Sequence, residues 1–246
     1  VTNDLNGNVV WITGGARGLG RALVIGFANL GADVAFSYHR SETEAKRLES
    51  ELTAQGVRCL AQKADLRRTD EIARIARELD TTFGRIDVLV NNAGVFERAR
   101  LDELTEAHVD EALSVNLKAT LFMSREAARR MTERGKGCII NVASVGGFVP
   151  WAAYTAYCAS KAAVLMATKS MALALAPAVR VNAIAPGILT VPEHVGPGEG
   201  EALKKRIPLG EFGRYDDVVD AALFLATKGR YITGETLVVD GGRQLT

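Results

Sequence analysis

The chain has 246 residues, with 30 lysines and arginines against 29 aspartates and glutamates. A formal net charge of +1 excludes a strongly basic chain, and nothing in that balance points to nucleic acid or an anionic membrane as the main partner. With 48% hydrophobic and 24% charged residues, the composition is that of a globular chain and excludes a disordered one.

Short β-branched apolar runs alternate with longer helical patterns. The runs lie at 9–13, 33–38, 57–62, 87–90, 138–143, 179–185 and 236–240. They lack strict polar alternation, which predicts parallel strands covered on both faces. Helices are expected at 20–30, closed by Gly31, and at 42–54, opened by a capping box of Ser41 and Glu44. More follow at 69–82, at 106–134 with a break near Ser114, at 154–176 and at 216–226. Strand–helix alternation with right-handed crossovers predicts one α/β domain over 1–246. Its architecture is a Rossmann fold, a doubly wound parallel sheet of seven strands with helices on both faces. No apolar stretch approaches the ~18 residues of a membrane span, and the segment 1–8 is polar, so a cytoplasmic protein is expected. Cys59, Cys138 and Cys158 fit no zinc or CxxC spacing and are read as reduced thiols, with no metal site.

Ligands of such sheets bind beyond the carboxyl ends of the strands. After the first strand comes Thr13-Gly14-Gly15-Ala16-Arg17-Gly18-Leu19-Gly20, leading into a helix. Glycines there let the backbone turn tightly and approach a pyrophosphate at the helix N-terminus. Gly14, Arg17, Gly18, Leu19 and Gly20 are therefore candidate cofactor residues. An NAD site needs a carboxylate at the tip of the second strand. Here Ser37, Tyr38, His39, Arg40 and Ser41 follow one another with no acid. Arg17 and Arg40 suit a 2′-phosphate through paired, charge-assisted hydrogen bonds, with Ser37, His39 and Ser41 beside them. The expected cofactor is NADP(H).

Tyr157 and Lys161 are four apart on a helical stretch and share a face. A free tyrosine titrates near ~10, and a nearby ammonium favours its phenolate, so this pairing suits proton transfer. Ser144 closes the run at 138–143, and Asn116 lies in the helical segment before it.

These motifs together resemble the classical short-chain dehydrogenases/reductases, over essentially the whole chain. The glycine turn, Asn91-Asn92-Ala93-Gly94, the tetrad Asn116, Ser144, Tyr157 and Lys161, Pro186-Gly187 and Asp240-Gly241-Gly242 all stand in the family's order. The resemblance implies that Tyr157 protonates the substrate oxygen while hydride reaches the carbonyl carbon. It implies that Lys161 lowers the tyrosine pKa and binds the nicotinamide ribose, that Ser144 polarises the carbonyl, and that Asn116 holds a relay water. Asn92, Ala93 and Gly94 would line the adenosine-side ribose and sheet centre, and Asp65 with Leu66 would meet the adenine. Pro186, Gly187 and Leu189 would line the nicotinamide end. In many relatives a threonine lies five residues after the proline; here that position is Val191, with Thr190 one residue early. The stretch 188–206, rich in glycine and proline, is expected to be a mobile substrate lid without a long helix, carrying His194.

Three substrate readings stand. Ile207-Pro208-Leu209-Gly210, Ile232-Thr233-Gly234 and the C-terminal glycines resemble a 3-oxoacyl-thioester ketoreductase, the favoured reading. Tyr38-His39-Arg40-Ser41, Pro192-Glu193 and Gly241-Gly242-Arg243 resemble pteridine reductases, although those carry Asp where this chain has Ser144. A non-catalytic NADP sensor is the third, disfavoured by the intact tetrad. The partner expected is a small carbonyl compound. The resemblance also implies a homotetramer or homodimer formed through the helices at 106–134 and 154–176.

Overall fold

A computed structural model of the chain describes residues 5–189 and 199–246. Seven strands form one parallel sheet: β1 (Val9–Ile12), β2 (Asp33–Tyr38), β3 (Cys59–Lys63), β4 (Val88–Asn91), β5 (Gly137–Val142), β6 (Val179–Pro186) and β7 (Thr236–Val239). Their spatial order is β3-β2-β1-β4-β5-β6-β7. The helices are α1 (Gly18–Asn29), α2 (Glu42–Ala54), α3 (Thr69–Phe83), α4 (Glu106–Ala112), α5 (Ala119–Glu133), α6 (Thr155–Leu175), α7 (Glu199–Lys204) and α8 (Tyr215–Thr227).

Successive strand residues point to opposite faces, and both faces are covered. In β1, Val10 and Ile12 join Leu23, Val24 and Phe27 of α1 and Val218 and Ala222 of α8. Trp11, between them, faces the other way, into Ile72, Ile75 and Leu79 of α3 and Met123 and Ala127 of α5. The chain winds outward from β1 to β3, then returns to β4 beside β1 and winds the other way. The crevice beyond β1 and β4 is the switch point where such sheets bind ligands.

Two local expectations are corrected. Ser41 makes no side-chain capping bond, because its backbone (φ −86°, ψ 61°) departs from the extended geometry of a hydroxyl cap. Glu42 instead pairs with Lys63 at 2.7 Å. The break expected near Ser114 in the helical stretch 106–134 is a π-helical turn, Leu113–Lys118, between α4 and α5. Finally, α6 is long and apolar enough to cross a membrane, with 21 residues and a mean hydropathy of 1.3. The sequence conceals this because Ser160, Lys161, Thr168 and Lys169 interrupt the apolar run. Val164, Leu165, Thr168 and Ala172 of α6 are buried, whereas Met166 and Leu173 are exposed.

Much of the expected lid, including Thr190, Val191 and His194, lies outside the described residues. Its described part holds the short α7. The three cysteines are free thiols.

Candidate active site

The ends of β1 and β4 are sewn together at the switch point. Thr13 Oγ1 accepts from the backbone N–H groups of Asn92 and Ala93, both at 2.9 Å. The Asn92 amide in turn donates to the Thr13 carbonyl at 2.9 Å and the Gly14 carbonyl at 3.3 Å. Gly14 turns with φ +68°, and its N–H donates to Ser37 Oγ at 3.3 Å. At Gly20 a Cβ would stand 2.0 Å from the Gly14 carbonyl and 2.7 Å from Asn92 Nδ2. Only glycine lets α1 start this close to the turn.

This turn opens a groove of two joined parts. The first, about 420 Å³, is lined by Gly14, Arg17, Leu19, Gly20, Ser37, His39, Arg40, Ser41, Asp65, Leu66, Asn92, Ala93 and Gly94. The second, about 350 Å³, shares Leu19, Asn92 and Gly94 and adds Ser144, Tyr157, Lys161, Pro186, Gly187 and Leu189. Two expected residues are not on its wall. Gly18 (φ +52°) opens α1 on the side of Tyr215. Asn116, on the π-helical turn, is buried behind the wall. Its Oδ1 accepts from Val95 N–H at 2.8 Å, and its Nδ2 donates to the Val95 carbonyl at 3.1 Å and to Ser160 Oγ at 2.9 Å. Its main-chain carbonyl accepts from Thr120 Oγ1 at 2.8 Å.

Ser144, just past β5, accepts from Gly146 N–H at 3.0 Å. Tyr157 and Lys161 stand one turn apart on α6. Lys161 is buried, and its ammonium donates to the Val142 carbonyl at 2.8 Å. Its Nζ is 5.9 Å from the centre of the Tyr157 ring. Burial pushes the Tyr157 hydroxyl up to about 12, opposed by a hydrogen bond with Ser144. Burial also drives Lys161 down to about 8. Loss of solvent thus holds the Tyr157 hydroxyl above its ordinary value, with the Ser144 hydrogen bond opposing it.

Asp65, expected to meet the adenine, lies on the groove wall. Its carboxylate is held by the Arg67 guanidinium at 2.9 and 2.7 Å and by Arg67 N–H at 3.1 Å. That fork holds Asp65 down at about 2. Arg67 also reaches Glu111 at 3.0 Å, and His39 Nε2 lies 4.0 Å from Asp65. Sequence reasoning missed Arg67. The Asp65-x-Arg67 spacing was a visible hint, but Glu111 is distant in the chain. It also missed an aromatic cluster around Tyr157. Phe96 and Trp151 flank its ring, with centroids at 4.7 and 6.1 Å, and Phe96 stacks on Tyr154 at 4.4 Å. The hints were Phe96, two residues past the Asn-Asn-Ala-Gly stretch, and Trp151 and Tyr154, six and three residues before Tyr157.

A glycine turn at the switch point, leading to a serine and a Tyr–Lys pair beyond the next strand, defines a nucleotide-dependent oxidoreductase fold. A family model described as enoyl-(acyl carrier protein) reductase matches residues 14–244. Galactitol 2-dehydrogenase of Agrobacterium fabrum is 37% identical over 98% of this chain and 99% of its own length. A 3-oxoacyl-(acyl-carrier-protein) reductase of Staphylococcus aureus is 36% identical over 94% of this chain and 96% of its own. The crystal structure of a gluconate 5-dehydrogenase from Burkholderia cenocepacia, in complex with NADP and tartrate, superposes with a TM-score of 0.94. It is 31% identical and covers 100% of this chain and 98% of its own. The chain belongs to the short-chain dehydrogenase/reductase family of oxidoreductases.

Proposed function

We propose that this protein is an NADPH-dependent reductase that converts a ketone to a secondary alcohol, with a 3-oxoacyl thioester as its substrate type. The observation that carries this reading is one continuous groove with Ser144, Tyr157 and Lys161 at one end and Arg17 and Arg40 at the other.

The groove fits the cofactor. The close approach at Gly20 leaves the N-terminus of α1 open to a pyrophosphate. Arg17 and Arg40 are exposed and, among the described residues, form no ion pair, so both forks are available to a 2′-phosphate. Asp65, the acid at this end, is already neutralised by Arg67.

When bound, the nicotinamide supplies a hydride to the carbonyl carbon. The Ser144 hydroxyl donates to the carbonyl oxygen and draws electron density from that carbon. The Tyr157 hydroxyl gives the same oxygen its proton, so hydride and proton together complete the alcohol. Its raised proton affinity keeps Tyr157 protonated at neutral pH. Lys161, held by Val142, steadies the phenolate left behind and reaches the nicotinamide ribose. Asn116 clamps Val95 and so shapes the floor of the cleft.

The test is the rate of NADPH oxidation with an acetoacetyl thioester, for the native protein and for Tyr157→Phe. A positioned general acid contributes ~10²–10⁴-fold, so the variant is expected to lose at least about a hundredfold in kcat while still binding NADPH. No turnover of that thioester by the native protein, with NADPH bound, overturns the substrate reading and favours a pterin or another small carbonyl compound. A second reading, a polyol dehydrogenase, is favoured by the similarity to galactitol 2-dehydrogenase. Galactitol with NADP+ in the same assay separates the two.

We also propose a cytoplasmic homotetramer in which α5 and α6 meet a second subunit. Met166 at 65% and Leu173 at 85% exposure leave an apolar stripe on α6 that such an interface would cover. Light scattering that returns a monomer refutes it.

A further inference from the structure

We infer that Arg67, shared between Asp65 and Glu111, makes the base end of the cofactor groove tolerant, so that it takes a 6-oxopurine dinucleotide as well as the 6-aminopurine of NADPH. This rests on the cofactor fit given above and not on the choice of substrate.

With Arg17 and Arg40 on the adenosine 2′-phosphate, the base lies on the neighbouring wall, where Leu66, Ala93 and Val115 offer apolar surface to its faces. Asp65, Arg67 and Glu111 line the same part of the groove and stand ready for its edge. These three side chains are one assembly. The backbone N–H of Asp65 donates to the Glu71 carboxylate at 3.0 Å, which fixes the turn after β3. The Arg67 guanidinium donates to Asp65 through Nε at 2.9 Å and Nη2 at 2.7 Å. Through Nη1 it donates to Glu111 of α4 at 3.0 Å. One cation thus stands between two carboxylates brought from distant parts of the chain. The Arg67 and Glu111 side chains keep 38% and 35% exposure, so the pairing leaves both open to the groove.

Along this wall the groups run acceptor, donor, acceptor. A carboxylate accepts at several lone pairs and a guanidinium donates five N–H groups, so each has capacity beyond the bonds it makes to the other. Adenine presents a 6-amino donor beside an N1 acceptor. Hypoxanthine presents the reverse, a 6-oxo acceptor beside an N1–H donor. An acceptor–donor–acceptor wall matches such an edge in either order, with Arg67 as the donor in both. Without Arg67 the wall holds two carboxylates. It would still accept from the amino group, but it would set the 6-oxo oxygen against like charge with its hydrogen bond unmade.

The experiment is calorimetry on the cofactor-free protein with NADPH and with its analogue carrying hypoxanthine in place of adenine. The native protein is expected to bind the two within about threefold of each other. In Arg67→Met and Arg67→Ala, NADPH is expected to lead by at least about tenfold, the worth of one hydrogen bond to a charged group. The methionine variant keeps the aliphatic stem, and melting temperatures report whether each variant is folded. Arg17→Ala, at the phosphate end, is expected to weaken both nucleotides about tenfold and leave their ratio unchanged. A native preference of tenfold or more for either nucleotide overturns the inference without any variant. A ratio unchanged in both Arg67 variants, or shifted as far in Arg17→Ala, overturns it too. Each of these leaves the cofactor fit standing, whereas a native protein that binds neither nucleotide overturns the fit and the inference together.

Discussion

Lys161 carries a stability signature that can be measured without any substrate. Burial lowers its pKa from the ordinary 10.5 to about 8, against one hydrogen bond to the Val142 carbonyl. Between these values the unfolded chain binds a proton that the folded protein does not. Stability therefore rises with pH across this window, and is lost as pH falls from 10.5 toward 8. The slope is at most about 1.4 kcal/mol per pH unit, which sums to about 3 kcal/mol over the window. In Lys161→Met the proton is gone, so the native protein should gain about 3 kcal/mol relative to the variant between pH 7.5 and 10.5. The comparison cancels the thiols of Cys59, Cys138 and Cys158, all raised by burial and titrating oppositely in both proteins. It also cancels any pH-independent effect of freeing the Val142 carbonyl. The assay is urea unfolding of the cofactor-free protein at fixed concentration, at half-unit pH steps, extrapolated linearly. A difference between the two proteins that stays flat over this range refutes the argument that burial dominates at Lys161.

Three further outcomes are expected. Gly20→Ala sets a methyl against the Gly14 carbonyl and should push α1 away from the turn, weakening NADPH by at least about a hundredfold in calorimetry. Arg17→Ala and Arg40→Ala should each weaken NADPH about tenfold, or about 1.5 kcal/mol, and leave NADH affinity unchanged; equal losses for both cofactors would reject the 2′-phosphate assignment. Tyr157, raised to about 12, should contribute no phenolate absorbance at 295 nm near pH 10. The spectrum of the native protein minus Tyr157→Phe tests this, and a midpoint at or below 10 contradicts it.

Local chemistry was well written in the chain. The alternation of β-branched runs with helical patterns predicts β2 and α2 at their observed bounds. Strand interiors such as Leu89 and Val90 are fully buried, as continuous apolar runs imply. The glycine turn and the Tyr157–Lys161 spacing were legible because each is set by a few adjacent residues. The Ser41–Glu44 capping box was legible too, and wrong. Glu42 found a partner in Lys63, and Ser41 took a backbone conformation that does not cap.

The sequence by itself determined the fold class, the cofactor turn and the order of the tetrad, because periodicity, glycine spacing and helical register act over a handful of residues. Only the tertiary structure decided which side chains those motifs meet. It turned Asn116 inward to clamp Val95, gave the Asp65 carboxylate to Arg67, and gathered Phe96, Trp151 and Tyr154 around Tyr157. It also set the environment of Tyr157 and Lys161, where burial raises the hydroxyl and lowers the ammonium. Hydrogen-bond partners and desolvation depend on neighbours brought from distant strands and helices, and no local pattern records them.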